Sequence, residues 1–195
     1  MNRRTAWEET ILRMDMVNVV ESTSEKEEPA LGLRWEFQRE RHPRTLHIGD
    51  VIILDVDSRL DLEVLILNKW DEESWLVAGV SPLRSAVTTA EIELSRNFGE
   101  ELFPICAVQL WNSRTLSGSI LRRGWRRTAI PRREVNRVLE AYSQYLGVSE
   151  GTHDVRERLG DEIPEGLEFY WDLLVQRTWR SYTAIDLEDL GLQET

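Results

Sequence analysis

The sequence predicts an α+β protein in which a small, strongly curved antiparallel sheet is followed by flanking C-terminal helices. Three apolar runs of about six residues, Val51–Val56, Leu62–Leu67 and Trp75–Val80, have the composition and length of strands. The polar connectors between them, residues 57–59 and 71–73, suit hairpins and are too short for parallel crossovers. Apolar residues in the C-terminal half recur at helical spacing. Together these patterns favour a meander that curls into a barrel, with helices packed beside it.

The composition predicts one core, or one core with a small appended unit. The chain has 195 residues, of which 41% are hydrophobic, and contains no apolar run long enough to span a membrane. Its N-terminus is charged and lacks the apolar segment of a secretory signal. Cys106 is the single cysteine, which excludes an internal disulfide and fits a reducing cytosol. We therefore expect a cytoplasmic protein.

Residues 1–30 are predicted to form an N-terminal helix or strand and an acidic linker. Trp7, Ile11, Met14 and Val17 have helical spacing, although residues 14–20 can equally form a strand. The polar, acidic stretch that follows ends in a proline, which is typical of an exposed loop.

Residues 31–147 are predicted to form the barrel-like domain with a packed helix. Leu31–Arg39 alternates apolar and polar side chains, as a half-buried strand does. Ala90–Leu94 can form either a helical turn or a strand, and Leu102–Trp111 is apolar enough for a further strand of the same sheet. These segments extend the central meander on both sides.

A helix over residues 131–146 closes this domain. Pro131 suits a helix start, and Gly147 is placed to end the helix. The predicted buried face comprises Val135, Val138, Leu139, Tyr142 and Leu146.

Residues 148–195 are predicted to form an acidic helical tail. A polar linker over residues 148–163 precedes a last helix that begins near Pro164. Twelve acids and four arginines give this tail a net charge of −8. Its charge is opposite to that of the segment described next.

An arginine-rich segment between Asn112 and Arg137 is the strongest polar signal. It holds eight arginines and one acid, a local net charge of +7 within a chain whose net charge is −11. The predicted binding residues are Arg114, Arg122, Arg123, Trp125, Arg126, Arg127 and Arg133. Arginine and tryptophan suit a phosphate backbone with a stacked base, or an acidic partner protein. The same arginines could instead pair with the acidic tail or form a solvated face, and the abundance of arginine could reflect codon bias.

No motif predicts catalysis, metal binding or a cofactor. Cys106 lies in an apolar run, where cysteine behaves as a small hydrophobic residue. The histidines His42, His47 and His153 lack metal-site spacing. A phosphate-binding glycine loop and a nucleophile elbow are also absent. The sequence therefore leans against an enzyme.

The central stretch resembles the SH3-like small barrel of the PemK/MazF-type toxin ribonucleases. Gly49-Asp50-Val51-Ile52 resembles their opening strand, Leu62–Leu67 their second strand, and Val80–Leu83 the end of their third. The resemblance implies a barrel of that outline. It does not carry over a catalytic residue, because Leu62-Glu63 stands where those toxins have an Arg-Pro pair. Ser81, the counterpart of their Thr or Ser, precedes a proline.

We predict a non-enzymatic protein-interaction or regulatory module of the bacterial cytoplasm, without a membrane partner. Another protein is the expected partner. The alternative is a nucleic-acid-binding protein or degenerate toxin-type ribonuclease that uses the arginine-rich segment. The family resemblance adds a further hypothesis, an accessory protein of a toxin or defence operon.

Overall fold

A computed structural model describes residues 40–41, 45–57, 60–82, 88–99 and 104–163, together with Glu168, Trp171 and Val175. The predicted N-terminal helix or strand, its acidic linker and the predicted strand Leu31–Arg39 lie outside the described residues.

The described strands form one curled antiparallel sheet. They are β1 (Glu40–Arg41), β2 (Asp50–Asp57), β3 (Leu60–Lys69), β4 (Ser74–Ser81), β5 (Glu91–Gly99), β6 (Pro104–Ser117) and β7 (Trp125–Ala129). Their order in the sheet is β1-β7-β2-β3-β4-β6-β5. Because β5 also contacts β7 near the opposite edge, the sheet curls into a half-barrel. The helices described over their whole length are α1 (Gly118–Arg123), α2 (Arg132–Tyr145) and α3 (His153–Arg158). The predicted α+β class is confirmed.

The central strands bury side chains on both faces of the sheet. One core lies beneath α2 and includes Val51 of β2 and Val138 of the helix. The other lies beneath α1 and includes Ile52 of β2 and Leu121 of the helix. A strand that is covered on both faces has no polar face, so its sequence is a continuous apolar run. This explains why apolar and polar residues do not alternate in the meander strands.

The arginine-rich segment is part of the sheet. β6 continues past the predicted strand end at Trp111 to Ser117, and after α1 the chain returns as β7. β7 pairs with β2 on one side and β1 on the other. Its sequence, Trp125–Ala129, holds two arginines and a threonine and has no apolar run. This segment forms a strand because it pairs with β1 and β2, which are distant from it in the sequence.

The predicted helix over residues 131–146 is confirmed as α2. The chain leaves it through Gly147, whose φ of 72° suits glycine at this position. Val135 and Val138 are buried as predicted, whereas the predicted Leu146 is exposed and Ala141 lies in the core instead. Leu146 is exposed because the helix ends one residue before it.

The predicted linker over residues 148–163 contains α3. Val155 of this helix is fully buried in the core beneath α2, and Leu159 pairs with Ile92 of β5. Further along, Glu168, Trp171 and Val175 are helical, in the region of the predicted last helix. The segment after α2 therefore packs against the sheet.

An ion-pair network fastens α2 and α3 to β5. Its centre is the buried Glu134, which accepts a hydrogen bond of 3.0 Å from Ser95 N and pairs with Arg137 and Arg158. Arg137 Nε also lies 2.9 Å from Asp154 Oδ2. Burial by itself raises the pKa of Glu134, but the hydrogen bonds from Ser95 and Arg137 outweigh it and hold this pKa below its usual value.

Gly49 allows a close backbone approach at the turn before β2. Its N–H donates to Ile66 O at 2.8 Å, and its carbonyl accepts from Ile130 N at 2.8 Å. A Cβ at this position would lie 2.4 Å from Ile130 O, and the φ of Gly49 is 98°. Both the contact and the backbone conformation therefore require glycine.

We expect Gly49→Ala to lower the free energy of unfolding by about 2–4 kcal/mol, because it adds a backbone clash to an unfavourable φ. Urea unfolding followed by circular dichroism measures this change. Gly147→Ala is the matched control: its φ is also positive, but nothing lies within 4 Å of the added Cβ. The control should lose only about 1 kcal/mol. Equal losses in the two variants would contradict the role assigned to the Ile130 contact.

We expect Glu134 to make stability depend on acid pH. Because its pKa is lower in the folded chain than in the unfolded chain, its contribution is present above the unfolded pKa and is lost as pH falls through the folded pKa. Glu134→Gln should flatten the fall in stability over this range, measured by urea unfolding at several pH values. The exposed Glu72→Gln serves as control. An unchanged acid slope in Glu134→Gln would show that the network does not control it.

Candidate functional site

The seven predicted binding residues lie on four different elements. Arg114 lies on β6, Arg122 and Arg123 on α1, Trp125, Arg126 and Arg127 on β7, and Arg133 in the first turn of α2. They do not form one surface of equivalent side chains. Instead, the structure sorts them by what they contact.

Arg126 and Arg127 of β7 pair with carboxylates of the meander. Arg126 Nε lies 3.0 Å from Asp50 Oδ1, and only 1% of the Asp50 side chain is exposed. Arg127 pairs with Glu63 of β3, and its own side chain is 10% exposed. Arg127 is also the extra residue of a β-bulge, because its neighbours pair with Ile52 and Val51. Both arginines therefore help to join β7 to the sheet.

The Gly-Asp motif at the start of β2 has a structural function here. Asp50 Oδ2 accepts a hydrogen bond of 2.9 Å from His47 N, and Asp50 N donates to His47 O at 3.1 Å. The carboxylate thus closes the turn before β2 while its other oxygen pairs with Arg126. A buried carboxylate with both oxygens occupied satisfies the requirement that buried charges be paired.

The turn between β3 and β4 is held by its own hydrogen bonds. Trp70 N donates to Ser74 O at 2.9 Å. Asp71 Oδ1 accepts from Glu73 N at 2.9 Å and from Ser74 N at 2.7 Å. The hydrogen bonds from Glu73 and Ser74 lower the pKa of Asp71. The conformation of the turn is therefore held by the Asp71 side chain as well as by the backbone hydrogen bond between Trp70 and Ser74.

Helix α1 packs its N-terminal end against this turn. Gly118 N donates to Glu73 O at 2.6 Å, and Arg122 Nη2 lies 2.8 Å from Glu73 Oε2. A Cβ on Gly118 would lie 3.0 Å from both side chains of that ion pair, so glycine leaves room for it. Ser117 caps the helix by accepting from Ile120 N at 3.3 Å. These contacts hold the Arg122 side chain toward Glu73 of the turn.

Trp70 projects from this turn with 62% of its surface exposed. We define the tip surface as Trp70, Glu73, Arg122 and Arg123, which lie on the turn and on the helix that packs against it. Two of these residues, Arg122 and Arg123, were predicted from the sequence, and Trp70 was missed. The available signal was the position of Trp70 between the apolar strand and the polar connector Asp71–Glu73, where a large apolar side chain is unusual.

Within the part of the chain that the structure describes, no group of three or more His, Cys, Asp or Glu side chains could hold a metal ion. Cys106 is buried in the sheet as predicted, with its thiol donating to Asn97 Oδ1 at 3.3 Å. None of the helices among the described residues has the length and apolarity that a membrane crossing requires.

The comparison with solved structures gives matches, whereas two other comparisons do not. No protein-family model matches the sequence, and no curated protein matches it. Among solved structures, the fold is similar to a chain in the crystal structure of MazE-MazF (Form-II) from Deinococcus radiodurans, with 16% identity and a TM-score of 0.41. The similarity covers 55% of this chain and 100% of that chain.

We expect the arginines to differ in their effect on stability. Arg127→Ala should lower the free energy of unfolding by about 2 kcal/mol or more, because it removes one charge of an ion pair in which the Arg127 side chain is only 10% exposed. Arg122→Ala removes an ion pair in which both side chains are exposed, so the loss should stay within about 1 kcal/mol. Urea unfolding of both variants tests this order. A larger loss for Arg122→Ala than for Arg127→Ala would contradict the division between structural and surface arginines.

Proposed function

We propose that this protein is a non-enzymatic interaction module that binds another protein through the tip surface. The observation that carries this proposal is Trp70, a large apolar side chain exposed on a turn that is held in one conformation. Tryptophan and arginine are the residues most enriched among side chains that dominate binding energy at protein interfaces. The exposed part of the indole adds no burial to the folded chain, whereas a partner that covers it removes apolar surface from water.

Arg122 supports the proposal because its present partner is exchangeable. Glu73 is largely exposed, so a carboxylate of a bound protein can replace it without leaving a buried charge unpaired. The guanidinium is already held against the turn that carries Trp70 by its ion pair with Glu73. This lowers the conformational entropy that Arg122 would lose on binding. An acidic segment with an apolar side chain is the kind of partner that fits.

The competing hypothesis is binding of nucleic acid, which was predicted through the same arginines. Arg126 and Arg127 pair with Asp50 and Glu63, so a phosphate would have to compete with carboxylates of this chain. This favours a protein partner over a nucleic acid. A place as an accessory protein of a toxin or defence operon remains a prediction of the sequence resemblance.

We expect Trp70→Ala and Arg122→Glu to abolish retention of a protein partner from an extract of the source organism on the immobilised full chain. Each variant should weaken the purified complex by about 30-fold or more, the effect of losing about 2 kcal/mol at an interface hot spot. Calorimetric titration of the partner measures this change. Tyr145→Ala is the matched control, because Tyr145 is an exposed aromatic residue on another element, α2.

The outcome of this experiment separates the hypotheses. Equal retention by wild type and both tip variants would rule out the tip surface as the binding site. Retention of RNA or DNA that is lost when the surface arginines Arg122 and Arg123 are changed to Ala would support the nucleic-acid alternative instead.

A further inference from the structure

Strand β6 pairs with β4 on both sides of a bulge of three residues. Gln109 pairs with Gly79, and Ser113 pairs with the adjacent Ala78, so residues 110–112 have no partner in β4. The size of such a bulge determines which residues of the bulged strand face its neighbour from that point onward. The pairing of residues 113–117 with β4 therefore depends on what holds the bulge.

The apolar pattern after the bulge specifies this register only weakly. Residues 113–117 contain a single apolar side chain, Leu116, which is 2% exposed and lies in the core beneath α1. A bulge of one residue instead of three would shift this half of β6 by two residues. Leu116 would then remain on the same face of the sheet, because side chains alternate with a period of two. Hydrophobic patterning therefore does not distinguish the two registers.

A chain of buried hydrogen bonds distinguishes them. Asn112 is 5% exposed, and its Nδ2 donates to Gln109 Oε1 at 2.9 Å. The Gln109 side chain also hydrogen-bonds to Glu91, its partner across β5 and β6. The chain thus ties the last residue of the bulge to a point where the strands are regularly paired.

Glu91 anchors this chain. It is 4% exposed, and its two carboxyl oxygens accept hydrogen bonds from Thr88 N at 3.0 Å and from Trp111 Nε1 at 3.3 Å. Two residues of the bulge, Trp111 and Asn112, are therefore held from the same carboxyl group. The first is held directly and the second through Gln109.

Gly79 leaves the space that the chain occupies. A Cβ at this position would lie 2.1 Å from Asn112 Nδ2 and 2.7 Å from Gln109 Oε1. Both atoms lie at the ends of side chains, so a larger residue would displace the two amides rather than the backbone. The bond between Asn112 and Gln109 therefore requires glycine at this position.

The amide of Asn112 is not explained by stability. Its Oδ1 is buried and accepts no hydrogen bond from the residues that the structure describes. A buried acceptor without a donor destabilises a fold, and an apolar side chain of similar size would avoid this penalty. What the amide adds is a bond that forms in one register of β6.

We propose that Asn112, acting through Gln109 and Glu91, is a register lock for the second half of β6. The locked register also positions α1, because Gly118 N at the start of this helix donates to Glu73 O at 2.6 Å. A slip of two residues would move the start of α1 by about 7 Å along β4 and break that bond. This inference does not depend on the proposed binding function, because its test measures the register itself.

NMR of the full chain tests the lock, because nuclear Overhauser effects between backbone protons of paired strands report the register. In the wild type, Trp75 should contact its partner Leu116. In Asn112→Leu and, separately, in Gly79→Ala, a second set of signals should appear in which Trp75 contacts Arg114. We expect the ratio of the slipped to the native register to rise by about tenfold or more, the effect of losing one buried hydrogen bond and its coupling to the chain.

Ser113→Ala is the matched control. It also removes a buried oxygen that has no hydrogen-bond partner among the described residues, but it lies outside the chain, so it should keep a single register. A single native register in both Asn112→Leu and Gly79→Ala would overturn the lock, and so would an equal second register in Ser113→Ala. Unfolding of both variants would overturn it as well, because the chain would then be needed for the fold rather than for the register.

Discussion

Burial of the central strands on both faces is the constraint on which the rest of this structure depends. Val51 and Ile52 are neighbours in β2, yet they lie in different cores, so the sheet needs a layer on each side. Helix α2 supplies one layer and α1 the other, and the chain must cross between them. It does so through β7, which packs beside β2 and brings Ile130 against Gly49. The close approach at Gly49 is thus a consequence of covering both faces.

Electrostatics then decides which arginines remain at the surface. A strand that carries arginines can join a sheet with two buried faces only if the guanidinium groups find carboxylates. Asp50 and Glu63 meet this requirement for Arg126 and Arg127. Arg122 pairs with the exposed Glu73 and stays at the surface. Part of the positive charge of the arginine-rich segment is therefore paired within the fold, and part of it lies at the tip surface.

The tip surface lies at one end of the β4–β6 strand pair, and Trp111 lies partway along it. Strands β4 and β6 pair from Ser74 with Ser117, beside the tip, to Ser81 with Ala107, and the irregular residues 110–112 near Glu91 lie between. A paired central strand is a rigid support, and rigid supports position side chains more reliably than loops do. Trp70 and Trp111 thus have different surroundings on one scaffold: the first is exposed at the surface, and the second is packed between a buried acid and Trp171.

The sequence by itself determined the meander strands, their hairpins and helix α2, because these depend on the spacing of apolar residues within a few positions. The sequence also indicated that the arginine-rich segment is a candidate for binding. Only the tertiary structure decided that Trp125–Ala129 is a strand, because its partners in β1 and β2 are distant in sequence and its own residues carry no strand pattern. Which arginines pair, which tryptophan is exposed and which glutamate is buried were decided in the same way. Each depends on long-range contacts that local periodicity does not encode.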